Sequence, residues 1–270
     1  MLPSSNSNSK GLTPWVALVV LFSLVGAARA DLTVVAGSTV NLGGGTADLS
    51  CTDVTVSGTL MVGGTMRNVR HFAIRPGGVV LTSGGGAIEV GGNWSNAGSF
   101  GGGTSTVLFS DVCGLPSASV AGSTTFYSVA FSSSTGKHYV LQSGATQTIS
   151  AALQVLGTAG QSIQLVSSVA GGVANINLQP GGTQQIQQVG VTDVWATGQW
   201  LAPFQSNQGG GGNANRWFGV PSDAVAEPIP TLSEYLVAAL AALAAAIGGL
   251  SLRRRPVAAR PRFRKEGESR

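Results

Sequence analysis

Between residues 31 and 205 apolar and polar side chains alternate in short runs. The clearest are 32–35, 54–56, 59–62, 79–82, 87–90, 106–109 and 127–131, followed by 138–141, 146–149, 153–155, 163–165, 174–178, 185–187 and 189–191. A period of two puts every second side chain on one face, so each run predicts a short strand that buries one side. No segment before Tyr235 carries a 3.6-residue period. Gly-rich signals such as Gly43-Gly44-Gly45, Pro76-Gly77-Gly78, Gly84-Gly85-Gly86 and Pro180-Gly181-Gly182 separate the runs. They suit tight corners and positive φ. Very short strands joined by frequent glycine corners predict a parallel β-helix. A β-sandwich or mixed β domain, the competing fold, would want longer strands and Asn-Gly or Asp-Gly hairpins. A coil of ~20 residues gives roughly eight coils over this span, a rod about 40 Å long at ~4.8 Å per coil. The pattern dissolves after Trp200. The Gly209–Gly212 stretch reads as a loop, Arg216-Trp217-Phe218 as an apolar cap on the last coil, and 221–228 as a linker. Trp94, Trp195, Trp200 and Trp217 are expected to pack at coil ends.

Two segments depart from the alternation. Residues 235–252 hold no charge over 18 positions and show no polar face, close to the length a transmembrane helix needs. Arg253-Arg254-Arg255 follows, within a tail of eight Lys or Arg and two Glu. Positive flanks stay cytoplasmic, so the body is expected on the other side of the membrane. At the other end, Lys10 precedes an apolar run at 15–25 and the sequence Ala28-Arg29-Ala30. The short run and the small-x-small site predict a secretory signal peptide cut after Ala30. The expected organisation is therefore a signal peptide (1–30), an all-β solenoid body (31–205), a loop and linker (206–228), a sorting signal with one transmembrane α-helix (229–255) and a basic cytoplasmic tail (256–270).

The residues Ile229-Pro230-Thr231-Leu232-Ser233-Glu234-Tyr235, then an apolar helix, then Arg253, Arg254 and Arg255, resemble the IPTL-CTERM sorting domain, a relative of the PEP-CTERM signals of Gram-negative bacteria. Tyr235 and Leu236 stand where that pattern usually has Trp and Gly. The resemblance implies an exosortase-type transpeptidase as partner, an inner-membrane-tethered intermediate, and a final place in the cell envelope, on the outer surface or outside the cell. The residues agree with this on physical grounds. Pro228 and Pro230 disfavour helix, so the motif is expected to be extended just outside the bilayer, as an enzyme cleft requires. Residues 124–132 and 144–149 also resemble units of bacterial surface β-helix repeats.

The formal charge of +4 changes meaning once divided. The termini carry it. The part from Asp31 to Leu252 holds five basic and nine acidic residues, so nucleic acid is not expected as a partner. Cys51 and Cys113 are the two cysteines. An oxidising compartment makes a disulfide plausible, and spacing leaves two separate thiols open. No catalytic set, metal cluster or cofactor motif is found. His71 lies in a basic patch with Arg67, Arg70 and Arg75, and His138 follows Lys137; both histidines read as surface residues. Gly136-Lys137 lacks the rest of a phosphate loop, and Gly43–Asp48 lacks the tandem copies of a calcium repeat. The expected role is structural or adhesive, with surface polysaccharide a candidate partner. The competing class is a carbohydrate-active β-helix enzyme, a polysaccharide lyase or hydrolase, which would have to draw on Asp48, Asp53, Glu89, Asp111 and Asp193.

Overall fold

The structure, a computed structural model, describes residues 30–211 and 213–219. The expected signal peptide up to Arg29, the Ile229–Tyr235 motif, the apolar 236–252 segment and the basic tail lie outside the described residues. Among the described residues no helix is long and apolar enough to cross a membrane.

The body is an all-β, parallel β-solenoid of about eight turns. Each coil visits three ladders of stacked strands. The first contains β1 (Leu32–Val34), the ends of β3 (Thr46–Val56) and β5 (Thr65–Ile74), β8 (Trp94–Asn96), β11 (Ser117–Ala121), β13 (His138–Leu141), β15 (Ile163–Ser167) and β18 (Val189–Thr192). The second contains the starts of β3 and β5, β7 (Ala87–Val90), β10 (Thr106–Phe109), the ends of β12 (Thr124–Ser132) and β14 (Thr146–Leu156), and β17 (Thr183–Gln187). The third begins with β2 (Thr39–Asn41), β4 (Thr59–Val62), β6 (Val79–Thr82) and β9 (Ser99–Gly101). After a break it resumes with the starts of β12 and β14, then β16 (Ala174–Leu178) and β19 (Val194–Ala196).

Alternation explains what each strand buries. Inward positions stack into columns through the coils: Val54 on Phe72, Phe72 on Trp94, Trp94 on Val120. A second column runs Val90, Phe109, Phe131, Val155, Ile186. All are buried, and they leave a continuous apolar interior. Aromatic rings thread its middle. Phe72 stacks on Trp94 at 4.9 Å and Phe109 on Phe131 at 5.0 Å, while Phe100 and Phe126 pack against Trp94 from the third ladder. Trp94 is thus mid-solenoid core rather than packing at an end of the rod, a correction to the sequence reading. Inward alternation on β8 places it there. Trp217, by contrast, lies buried beside Leu201 at the C-terminal end and bridges to it.

Corners use glycine where the alternation predicts, as in the Pro-Gly-Gly turn with Gly77 at φ 79°. Several corners use other residues. Asn68, Gln188 and Asp193 adopt φ of 55°, 51° and 56°, each turning the chain in a single left-handed step. Such corners let β5 run through from one ladder to the next, and they bring β17, β18 and β19 into close succession. The alternation alone left out β2, β5, β8, β9, β11 and β19.

Candidate functional site

The corner joining the second ladder to the first gathers most of the charge of the solenoid. Asp48, near the start of β3, accepts hydrogen bonds from Arg67 Nε (3.1 Å) and Asn68 Nδ2 (3.0 Å) of the next coil. Asp53 takes Arg70 in a two-pronged contact at 2.8 and 2.9 Å. The Asn68 amide, with help from the Ser50 amide and Arg67, holds the Asp48 carboxyl below its ordinary range. Arg70 does the same for Asp53. Two of the basic residues in the sequence patch are therefore neutralised by carboxylates one coil away. His71 Nδ1 accepts the Asn93 amide at 2.9 Å, and His138 stays exposed at the start of β13.

Above this corner the 110–116 loop folds back over two intervening corners. Cys51 and Cys113 are joined by a disulfide with Cα atoms 5.5 Å apart, closing a sequence separation of 62 residues. The loop passes so close to the strand beneath that a side chain on Gly91 would meet the Val112 carbonyl at 2.0 Å. Only glycine fits there. Lys137, set aside in the sequence as an incomplete phosphate-loop match, is fully buried under the same loop. Its ammonium donates to the Gly91 carbonyl (2.5 Å) and the Ser110 carbonyl (2.7 Å) and sits 5.7 Å from the Tyr139 ring centre. Burial pulls the lysine's proton affinity down, and the Asp111 charge partly opposes this. Tyr139 donates to the Phe109 and Ser132 carbonyls at 3.1 and 3.3 Å, and burial raises its pKa well above the ordinary phenol. Burial works to raise Asp111 too. The Ser134 amide and hydroxyl, with Ser133 and Lys137, outweigh it and leave Asp111 below its usual value. The cluster ties loop carbonyls and amides to buried side chains, the work of a structural staple.

The remaining carboxylates are also engaged. Glu89 accepts the Ser110 hydroxyl at 3.0 Å, and Asp193 accepts the amides of Gly171 (2.8 Å) and Asn213 (3.3 Å). Asp48 and Asp53 face arginines, and Asp111 faces the serine loop. The five acidic candidates are spread over separate contacts.

Two surface hollows flank these features. One of about 430 Å³ lies beside the disulfide loop, lined by Asp111, Leu115, Pro116, Thr135, Gly136 and His138. The other, about 270 Å³, marks the break in the third ladder. There Gly101, Gly102 and Gly103 supply no side chains, and the register shifts between Phe126 and Ser128. Alternation along β12 turns Tyr127 outward, 38% exposed at the rim, and the extra residue lies on β14, where Ser150 and Ala151 face this one position.

At the C-terminal end of the body, Arg216 lies over the Trp200 ring at 5.8 Å. Beyond the described residues the sequence itself decides the matter. A family model described as the IPTL-CTERM motif matches residues 227–255. The chain carries an IPTL-CTERM motif. The match takes in every residue from Ile229 to Tyr235 and the cluster Arg253, Arg254 and Arg255, and it starts two residues ahead of Ile229. The IPTL-CTERM motif is a sorting signal. It implies an exported, cell-surface protein and processing by a sorting enzyme, and the structure gives that protein a β-helix body. No curated protein and no solved structure matches the chain.

Proposed function

We propose that this is a non-enzymatic structural or adhesive protein of the bacterial envelope. A leader is removed after Ala30, and the 236–252 helix tethers the chain in the inner membrane with Arg253–Arg255 on the cytoplasmic side. An exosortase-type transpeptidase then acts at the extended Ile229–Glu234 segment, and the solenoid is handed to the outer surface. The IPTL-CTERM motif supports the route. One observation carries the passive role of the body: each of Asp48, Asp53, Glu89, Asp111 and Asp193 already serves a structural partner. A lyase or glycosidase needs carboxyl or basic groups converging on one groove.

Surface polysaccharide is the ligand class best suited to the hollow at the ladder break. Tyr127 offers a ring face at its rim, and the hollow of about 270 Å³ beside it gives a flat sugar a place to stack. The exported chain should be retained on immobilised envelope polysaccharide, and Tyr127→Ala should weaken retention about tenfold. Incubation with the same polysaccharides should release neither reducing ends nor unsaturated products. Turnover of any of them would replace this reading with the carbohydrate-active enzyme.

A further inference from the structure

The two ends of the solenoid are finished differently. At the C-terminal end, amide side chains take up the backbone groups that the last coil exposes. Asn207 accepts the Val191 amide (2.8 Å) and donates to the Val191 carbonyl (2.9 Å), standing in for a further strand on β18. Gln205 donates to the Ile186 carbonyl of β17. The Asn215 carbonyl accepts the Ala196 amide of β19. Leu201, Ala202 and Trp217 are buried over the interior.

The N-terminal end has no such cover among the described residues. β1 pairs with β3, and β2 with β4. The Leu42 amide and Ser38 carbonyl bond upward to the second coil, so by alternation the backbone groups of Thr39 and Asn41 face the other way. The Val34 carbonyl likewise bonds upward, which turns Thr33 outward. Leu32, Val40, Leu42 and Leu49 are only partly buried beneath this edge. Proteins that stay monomeric blunt open strand edges with lysine, proline or bulges. Leu32-Thr33-Val34 and Thr39-Val40-Asn41 contain none of these. The nearest charges are already held: the Asp31 carboxylate accepts the Asp53 amide, and Asp48 accepts Arg67 and Asn68.

We propose that this first coil pairs with the first coil of a second copy, head to head about a two-fold axis. Where no side chain takes up the edge groups, extended backbone satisfies them along the whole ladder, and an identical edge is complementary to itself across a two-fold. The capped far end offers no matching ladder, so association stops at two instead of growing into a filament. The inference rests on removal of the leader after Ala30, which leaves Asp31 at the edge of β1. One coil cross-section is small beside a standard interface, so dissociation is expected on the order of 10–100 μM.

The test uses the exported chain in mild detergent. Its intact mass is measured first, then its sedimentation across that concentration range. The expected result is a leaderless chain in reversible monomer–dimer exchange. Thr39→Pro removes an outward donor and should weaken the dimer about tenfold or more while the melting temperature holds. Should that variant misfold, hydrogen exchange on the unaltered chain replaces it. The Thr33, Thr39 and Asn41 amides should be protected at high concentration and exchange freely on dilution. A monomer at every concentration, or open-ended assemblies, overturns head-to-head pairing. A mass that still includes residues 1–30 overturns the leader reading on which it rests.

Discussion

Lys137 shows what a single residue contributes here. Its ammonium lies under the 110–116 loop against two carbonyls, with no carboxylate within salt-bridge distance among the described residues. Lys137→Met keeps the volume and removes both donors, leaving the Gly91 and Ser110 carbonyls unpaired. It should cost about 1–3 kcal/mol, read as a lower denaturation midpoint. An unchanged or raised midpoint would mean that relief of the buried charge outweighs the lost bonds. The carboxylates set the acid limit. Asp48, Asp53 and Asp111 are all lowered in the folded chain, so it binds protons less readily than the unfolded one. The stability they contribute is complete above the ordinary carboxylate range near pH 4 and is lost as pH falls through their lowered values. Thermal melts between pH 7 and 2 should show this fall, and Asp53→Asn should make it shallower. None of these roles was legible in the sequence. Asp48 meets Arg67, and Lys137 meets Gly91, only because coils stack, and coil length cannot be read residue by residue when Val54 aligns with Phe72 but Trp94 with Val120.

At the scale of elements, alternation located most strands of four or more alternating residues and missed three-residue strands such as β2, β8, β9 and β19, together with the bent β5. β5 carries Arg67, Asn68, Arg70 and His71 through a corner, so its period of two breaks at Asn68 and the run looks like a basic loop. The signal was present, since Asn and Asp tolerate left-handed φ better than other non-glycine residues. Alternation along β8, a strand the sequence reading missed, puts Trp94 inside, where it touches rings from three coils. Trp94→Ala should cost about 3–5 kcal/mol, checked by denaturant unfolding. The Cys51–Cys113 bridge straps the 110–116 loop across coils in between, a contact that spacing left open. Replacing both cysteines with serine should lower stability by about 4 kcal/mol, given a loop of 62 residues. The oxidised native chain should lose the same amount on reduction. A midpoint indifferent to reductant would show that the loop is held by Lys137 and packing alone.

For the whole molecule, the solenoid and the sorting signal were legible because both depend on patterns longer than any single contact. Fourteen short alternating runs with glycine corners leave little but a coil, and a polar motif, an apolar segment and an arginine cluster in that order leave little but a sorting signal. What the body binds was not legible. The body presents few charged groups to read, and the hollow beside Tyr127 exists only because the third ladder breaks between β9 and β12. The central claim joins the two parts: the tail delivers the solenoid to the envelope and is then removed. Intact-mass spectrometry of the chain recovered from envelope and medium fractions of its host tests this most directly. The account predicts a species that starts at Asp31 and ends within or just before residues 229–234, with any added mass at its new C-terminus. Recovery of the full 270-residue chain, tail and leader included, dissolved in the cytoplasm would contradict it.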